Sequence, residues 1–147
     1  MKSYNVAIVG ATGAVGEVLL ELLGERRFPV GDLYLLASER SAGSTMSFGG
    51  KRLTVQNLAD FDFSNVHIAL FSAGGDISAE YAPKAAAAGC IVIDNTSHFR
   101  REDAIPLVIP EVNAHAIGRY SETNIIANPN CSTIQMLVAL KPIHDAV

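Results

Sequence analysis

Residues 4–16 read YNVAIVGATGAVG, and the rest of the chain is arranged around them. Val6 to Val9 is a short apolar run bounded by turn residues, the pattern of a strand buried on both faces. Gly10-Ala11-Thr12-Gly13-Ala14-Val15-Gly16 follows. Val15, Val18, Leu19, Leu22 and Leu23 then recur at helical spacing, which predicts an amphipathic helix with those residues as its apolar stripe. Strand, glycine turn and helix together aim free backbone N–H groups and the positive end of a helix dipole at a phosphate. The spacing is G-x-x-G-x-x-G, not the commoner G-x-G-x-x-G. A ligand-free tight turn would use the same glycines, but the flanking strand and helix favour a dinucleotide site. Gly10, Thr12, Gly13, Ala14 and Val15 are its expected cofactor-binding residues.

At 147 residues, with 49% hydrophobic and 18% charged residues, the chain has the size and composition of one globular domain. Its net charge is −4 and it has no basic run, which argues against nucleic acid or an anionic membrane as a main partner. No apolar stretch approaches membrane-spanning length, and the N-terminus leads directly into a strand, so a cytoplasmic protein is expected. Cys90 and Cys131 lie in unrelated contexts without other metal-ligand spacing, so neither a disulfide scaffold nor a metal site is expected.

Beyond the first helix, Gly24 and Pro29 punctuate a turn, and Asp32 to Ala37 predicts the second strand. The tip of that strand meets the adenosine ribose in a nucleotide fold. There an acidic side chain suits a 2′-OH, whereas arginine and hydroxyls suit a 2′-phosphate. Ser38, Arg40 and Ser41 therefore favour NADP over the dissent of Glu39. Met46 to Val55 predicts a hairpin turning at Gly49-Gly50, and Leu58 to Val66 a connector. Ile68 to Phe71 reads as a buried strand leading into Ser72-Ala73-Gly74, a small-residue loop suited to face the cofactor. A helix over Ile77 to Ala88 ends at Gly89, and Cys90 to Asp94 forms the next buried strand, with Cys90 a core residue. Leu107 to Val112 and Asn124 to Ala127 are predicted as further short strands. The alternation of strands and helices implies an α/β class domain: a Rossmann-like, doubly wound, mostly parallel sheet with helices on both faces.

The chemistry points to Asn128-Pro129-Asn130-Cys131-Ser132-Thr133. An apolar strand breaks at Pro129 and an apolar helix begins near Ser132, so Cys131 is placed at or just before a helix N-terminus. The dipole and unpaired N–H groups there favour a thiolate and can receive an oxyanion once sulfur attacks a carbonyl. Asn130 or Ser132 as a simple helix cap, with an inert thiol, is the alternative. Beside a dinucleotide domain, the nucleophile is the preferred reading.

Taken in order, GATGAVG, ASERSAG, DNTSHFR and NPNCSTIQ make the chain resemble the aspartate-β-semialdehyde dehydrogenases from Val6 to about Leu140. The sister N-acetyl-γ-glutamyl-phosphate reductases share the glycine turn but carry a cysteine context closer to HPGCYPT. A non-catalytic NADP-sensing domain is a third reading, in which the thiol has no duty. The resemblance implies a mechanism in which Cys131 attacks the aldehyde of aspartate semialdehyde and hydride passes to NADP. Inorganic phosphate then resolves the acyl thioester to aspartyl phosphate, the reverse of a step in lysine, threonine and methionine biosynthesis. It also implies that Arg100, with Asn95, binds phosphate, that Arg101 is a rival for that role, and that Asn130 helps orient the intermediate. Residues 1–147 then form the NADP-binding domain carrying the catalytic cysteine.

Family chains are about twice as long, and their second half supplies further substrate groups, the general acid–base histidine and much of a homo-oligomer contact. That catalytic and dimerisation domain is expected to be absent here. His67, His98, His115 and His144 do not match the family histidine and are expected to be structural or solvated. The chain alone is accordingly expected to bind NADP weakly or not at all and to lack turnover.

Overall fold

A computed structural model of the chain describes residues 2–147. In chain order the elements are β1 (Tyr4–Val9), α1 (Ala14–Glu25), β2 (Val30–Ala37), β3 (Thr45–Phe48), β4 (Lys51–Asn57) and β5 (Ile68–Phe71). They are followed by α2 (Gly75–Ala87), β6 (Ile91–Asp94), α3 (Pro110–Asn113), β7 (Ile125–Ala127) and α4 (Cys131–Ala146). The strands form one seven-stranded sheet in the order β3-β4-β2-β1-β5-β6-β7. Every pairing is parallel except that of β3 with β4. That exception is the expected hairpin, and its turn residues Gly49 and Gly50 both have positive φ, the requirement of a tight two-residue connection.

Burial on both faces of β1 explains why its sequence is a continuous apolar run. Ala7 and Val9 pack with Ala69, Phe71, Val92 and the α2 alanines Ala82 and Ala85 on one face. Ile8 packs with Leu20 of α1, Leu35 and Val55 on the other. The result is the doubly wound layering that a parallel sheet demands. The carboxyl ends of β1, β2, β5, β6 and β7 share one edge of the sheet, where ligands bind in folds of this type.

Two expectations are corrected by the structure. The buried residues of α1 are Gly16 and Leu20, with Leu19 and Leu23 half-buried beside them, so only Leu19 and Leu23 of the five residues in the expected stripe face the core. Val15, Val18 and Leu22 are 45%, 50% and 38% exposed. The closest approach of helix to strand sets the rotation. A Cβ on Gly16 would lie 2.2 Å from the Gly10 carbonyl oxygen and 2.7 Å from the Ala11 Cα, so Gly16 must face the sheet. Leu20 and Leu23, four and seven residues on, share its face.

The second correction concerns Leu107 to Val112, which is not a strand. Leu107 alone makes a bridge to Ala127, and Pro110 then opens the short helix α3. Proline has no N–H for a ladder but fits the first turn of a helix. A 3-10 segment, Ala114–Glu122, follows and includes His115. The remaining boundaries move by a residue or two: β2 starts at Val30, α2 at Gly75, and Cys90 lies just ahead of β6.

Candidate nucleotide cleft and thiol site

The glycine turn is built by backbone. Gly10 and Ala11 N–H both donate to the Leu36 carbonyl at 2.9 and 3.1 Å, and Gly13 N–H donates to the Gly10 carbonyl at 3.1 Å. Gly10 has φ +89, and a Cβ there would meet the Ala73 backbone at 3.0 Å, so the turn and the loop after β5 approach closely only because this residue is glycine. Gly13 is the N-cap of α1 and Gly74 that of α2, and neither provides a side-chain cap. Both helices therefore present uncapped N-terminal N–H groups at the same edge of the sheet.

Between them lies a cleft of about 570 Å³ lined by Gly10, Thr12, Gly13, Ser38, Glu39, Arg40, Ser41 and Ala73, among others. These include most of the residues assigned to the cofactor from sequence. The others lie beside it: Ala14 and Val15 open α1, the Ser72 hydroxyl donates to the Val9 carbonyl at 3.2 Å, and Gly74 caps α2. The far wall was not anticipated. Asn57, Leu58, Ala59, Ile77 and Tyr81 complete it, from the end of β4, the 3-10 turn that follows it, and α2. Leu58 lies in a connector without periodic pattern and Tyr81 within the helix α2, so no local signal marks them. The cleft fits a dinucleotide: uncapped helix starts for a pyrophosphate, a polar β2 tip for a ribose, and an apolar wall for a base.

Along the same edge stands the thiol. Cys131 is the first residue of α4 and is exposed and unpaired. Asn130 is the N-cap, its side-chain oxygen accepting the Ser132 N–H at 3.0 Å and lying 4.0 Å from the Cys131 sulfur. Capping and proximity to the sulfur thus coexist in one side chain. Cys90, by contrast, is fully buried, and burial pushes its thiol up to about 12.

Arg100 is half-buried, its Nε donating to the Asn128 carbonyl and one Nη to the Asn95 carbonyl, both at 3.0 Å. Five N–H donors make up the fork, so these two bonds leave the rest for an anion. Arg101 next to it is exposed. The Asn128 amide donates to the Asn95 side-chain oxygen at 2.7 Å. Behind this cluster, the buried Asp94 carboxylate accepts from Ser78 Oγ (2.7 Å), Thr96 N–H (3.1 Å) and Thr96 Oγ1 (2.8 Å). Sequence reading places Asp94 at a strand end and Asn128 in the cysteine stretch but assigns neither a role of its own. An acidic residue closing a β-branched run, and an asparagine between a strand and a proline, were the available signals. His67 is structural, its Nδ1 accepting the Asn5 N–H at 2.8 Å. Among the described residues no cluster of metal-binding side chains occurs, and no helix is long and apolar enough to cross a membrane.

Known proteins resemble this chain in both sequence and fold. Residues 5–120 match the family model described as semialdehyde dehydrogenase, NAD binding domain. Aspartate-semialdehyde dehydrogenase 2 of Vibrio cholerae is 68% identical over 146 residues, which are 99% of this chain and 43% of that protein. The crystal structure of aspartate semialdehyde dehydrogenase II complexed with ASA, also from Vibrio cholerae, superposes with a TM-score of 0.97 at 68% identity, over 99% of this chain and 48% of that one. The Candida albicans aspartate semialdehyde dehydrogenase structure with NADP gives 0.82 at 25% identity, over 99% of this chain and 48% of that one. The chain thus spans less than half the length of these relatives. It belongs to the semialdehyde dehydrogenase family, and its residues 5–120 match that family's NAD-binding domain.

Proposed function

We propose that this chain is the nucleotide-binding, thiol-bearing part of an NADP-dependent enzyme interconverting aspartate semialdehyde and aspartyl phosphate, a step of amino-acid biosynthesis. The observation that carries the reading is Cys131: exposed, first in its helix, and on the same edge of the sheet as the glycine turn. Attack of its sulfur on the aldehyde carbon moves the carbonyl electrons onto oxygen. The Cys131 and Thr133 N–H groups have no acceptor among the described residues, whereas that of Ser132 is held by the Asn130 cap. Free donors at a helix start are suited to an oxyanion. A nicotinamide bound in the cleft supplies the hydride acceptor in this direction and the donor in the other. The acyl group remains on Cys131 as a thioester until a phosphate oxygen displaces the sulfur, giving the acyl phosphate and the free thiolate.

Arg100 supports the phosphate step because its uncommitted donors form a planar cationic fork beside the Asn128–Cys131 segment. Asn95 lies alongside as the second phosphate-binding candidate. Ser38, Arg40 and Ser41 line the cleft together, which supports NADP as the cofactor, with Arg40 taking the 2′-phosphate. Replacing Arg40 with alanine is expected to weaken NADP binding about tenfold or more while leaving NAD binding little changed. An unchanged preference would transfer the role to Glu39 or another group. Family partners imply a homo-oligomer of the longer protein, and the chain alone is expected to give no phosphate-dependent NADPH formation from the semialdehyde.

Alkylation by iodoacetamide at mildly acidic pH tests the central assignment. Cys131 is expected to react faster than free cysteine under the same conditions. A thiol slower than free cysteine would favour a nucleotide-sensing domain instead.

A further inference from the structure

The path from the sheet to Cys131 is short and tightly held. β7 contributes only Ile125–Ala127, and Asn128, Pro129 and Asn130 cover the remaining distance. Asn128 N–H donates to the Asp94 carbonyl at 2.8 Å, adding one rung to the parallel ladder beyond the strand. Its carbonyl accepts Arg100 Nε at 3.0 Å, and its side-chain amide donates to Asn95 Oδ1 at 2.7 Å. The same guanidinium grips the Asn95 carbonyl at 3.0 Å, and Asn95 N–H is itself pinned to the Phe71 carbonyl at 2.9 Å. Asn95, Arg100 and Asn128 therefore form a closed clamp across the loops that leave β6 and β7.

Downstream there is little freedom. Pro129 is buried, its ring fixes its own φ, and it confines the preceding Asn128 to extended backbone. Asn130 is fixed in turn as the cap of α4. The placement of the sulfur relative to the sheet edge, and to the Arg100 cation, is thus decided at Asn128.

We propose that Asn128 is a positioning residue for Cys131, acting through its side-chain bond to Asn95. It touches neither substrate nor cofactor in this role. The inference rests on Cys131 being the nucleophile, as argued above. Its physical logic is that half-buried polar clamps of this kind contribute modestly to stability, while a shift of about 1 Å at a reacting atom costs far more in rate.

The test is Cys131 alkylation by iodoacetamide at mildly acidic pH on this chain, with circular dichroism and the urea midpoint followed in parallel. Asn128→Leu keeps the shape of the side chain and removes the donor. Alkylation is expected to fall about tenfold relative to wild type, with helix content retained. Asn128→Gln, which keeps an amide donor, is expected to recover most of the rate. Asn95→Leu is expected to lower the rate similarly, and the Asn95→Leu/Asn128→Leu double variant to be no slower than either single one, as for two members of one contact.

Equal rates in wild type and Asn128→Leu, failure of the glutamine variant to recover, or additive losses in the double variant would each overturn the proposal. Should Asn128→Leu not fold, Asn128→Ala is read in its place. Loss of folding in both would also overturn the proposal, because it would make Asn128 a stability element. Failure of the underlying assignment has a different signature: it lowers the absolute wild-type rate, whereas positioning is read from the ratio of variant to wild type.

Discussion

At Gly16 the fold depends on the absence of a single carbon. The atoms a Cβ would meet, the Gly10 carbonyl oxygen and the Ala11 Cα, are backbone and cannot rotate away as a side-chain tip could. Gly16→Ala must push α1 off the sheet, which opens the helix–strand contact and tilts the N–H groups aimed at the cleft. A loss of about 2–3 kcal/mol in stability is expected from urea unfolding, together with weaker nucleotide binding. Cys90 gives a second residue-scale prediction, this one about pH. Its thiol is pushed from an ordinary 9.0 to about 12 by burial, so the folded state keeps the proton that the unfolded chain releases first. A raised folded value means that this contribution to stability is complete below pH 9 and is lost as pH rises toward 12. Urea midpoints measured in a Cys131→Ser background should therefore fall between mildly and strongly alkaline pH. Cys90→Ala should flatten that fall, and an equal fall in both would place the titration elsewhere.

Helix α1 carries the clearest lesson about elements. Its existence, length and place after the glycine turn were legible in the sequence because strand burial and glycine spacing are local signals. Which face it buries was not. Apolar residues occur around most of its circumference, so periodicity admits a stripe through Val15, Val18, Leu19, Leu22 and Leu23. Only the contact at Gly16 selects the face of Leu20, which keeps Leu19 and Leu23 and leaves the other three exposed. Leu107 to Val112 failed for a related reason: its apolar content resembles a strand, but Pro110 makes continuation of the ladder impossible. In the site, Gly10, Thr12, Arg40 and Cys131 sit in motifs short enough to read directly. Asn128 and Tyr81 gain their places from elements distant in sequence, and no local pattern reveals that. The face assignment has a direct check. Leu20→Ala should cost about 2–4 kcal/mol in urea unfolding. Val18→Ala on the outward face should stay within about 0.5 kcal/mol. Similar costs at the two positions would restore the stripe drawn from periodicity.

Across the whole molecule, stability is distributed unevenly, and Cys131, the proposed nucleophile, lies near the boundary. β1 sits at the centre of the sheet with neighbours on both sides and helices on both faces. α4 follows the edge strand β7, has no fully buried residue, and exposes Met136, Val138, Leu140 and Ile143. A helix draws most of its stability from packing an apolar face, and this one packs mainly through the contact with α3. Its first turn is different, because the Asn130 cap and the clamp at Asn128 tie it to the sheet. Native-state hydrogen exchange should therefore show a gradient. Amides of β1 and β5 should exchange only through global unfolding, and amides near Ile143 by local fraying. Those of the first turn beyond Cys131 should lie between the two. Asn130→Ala, which removes the cap, should bring the first turn down toward the rest of the helix by about 1 kcal/mol while leaving β1 in place. Uniform protection along α4 would mean that the helix is held over its whole length, and that the placement of Cys131 does not depend on its cap.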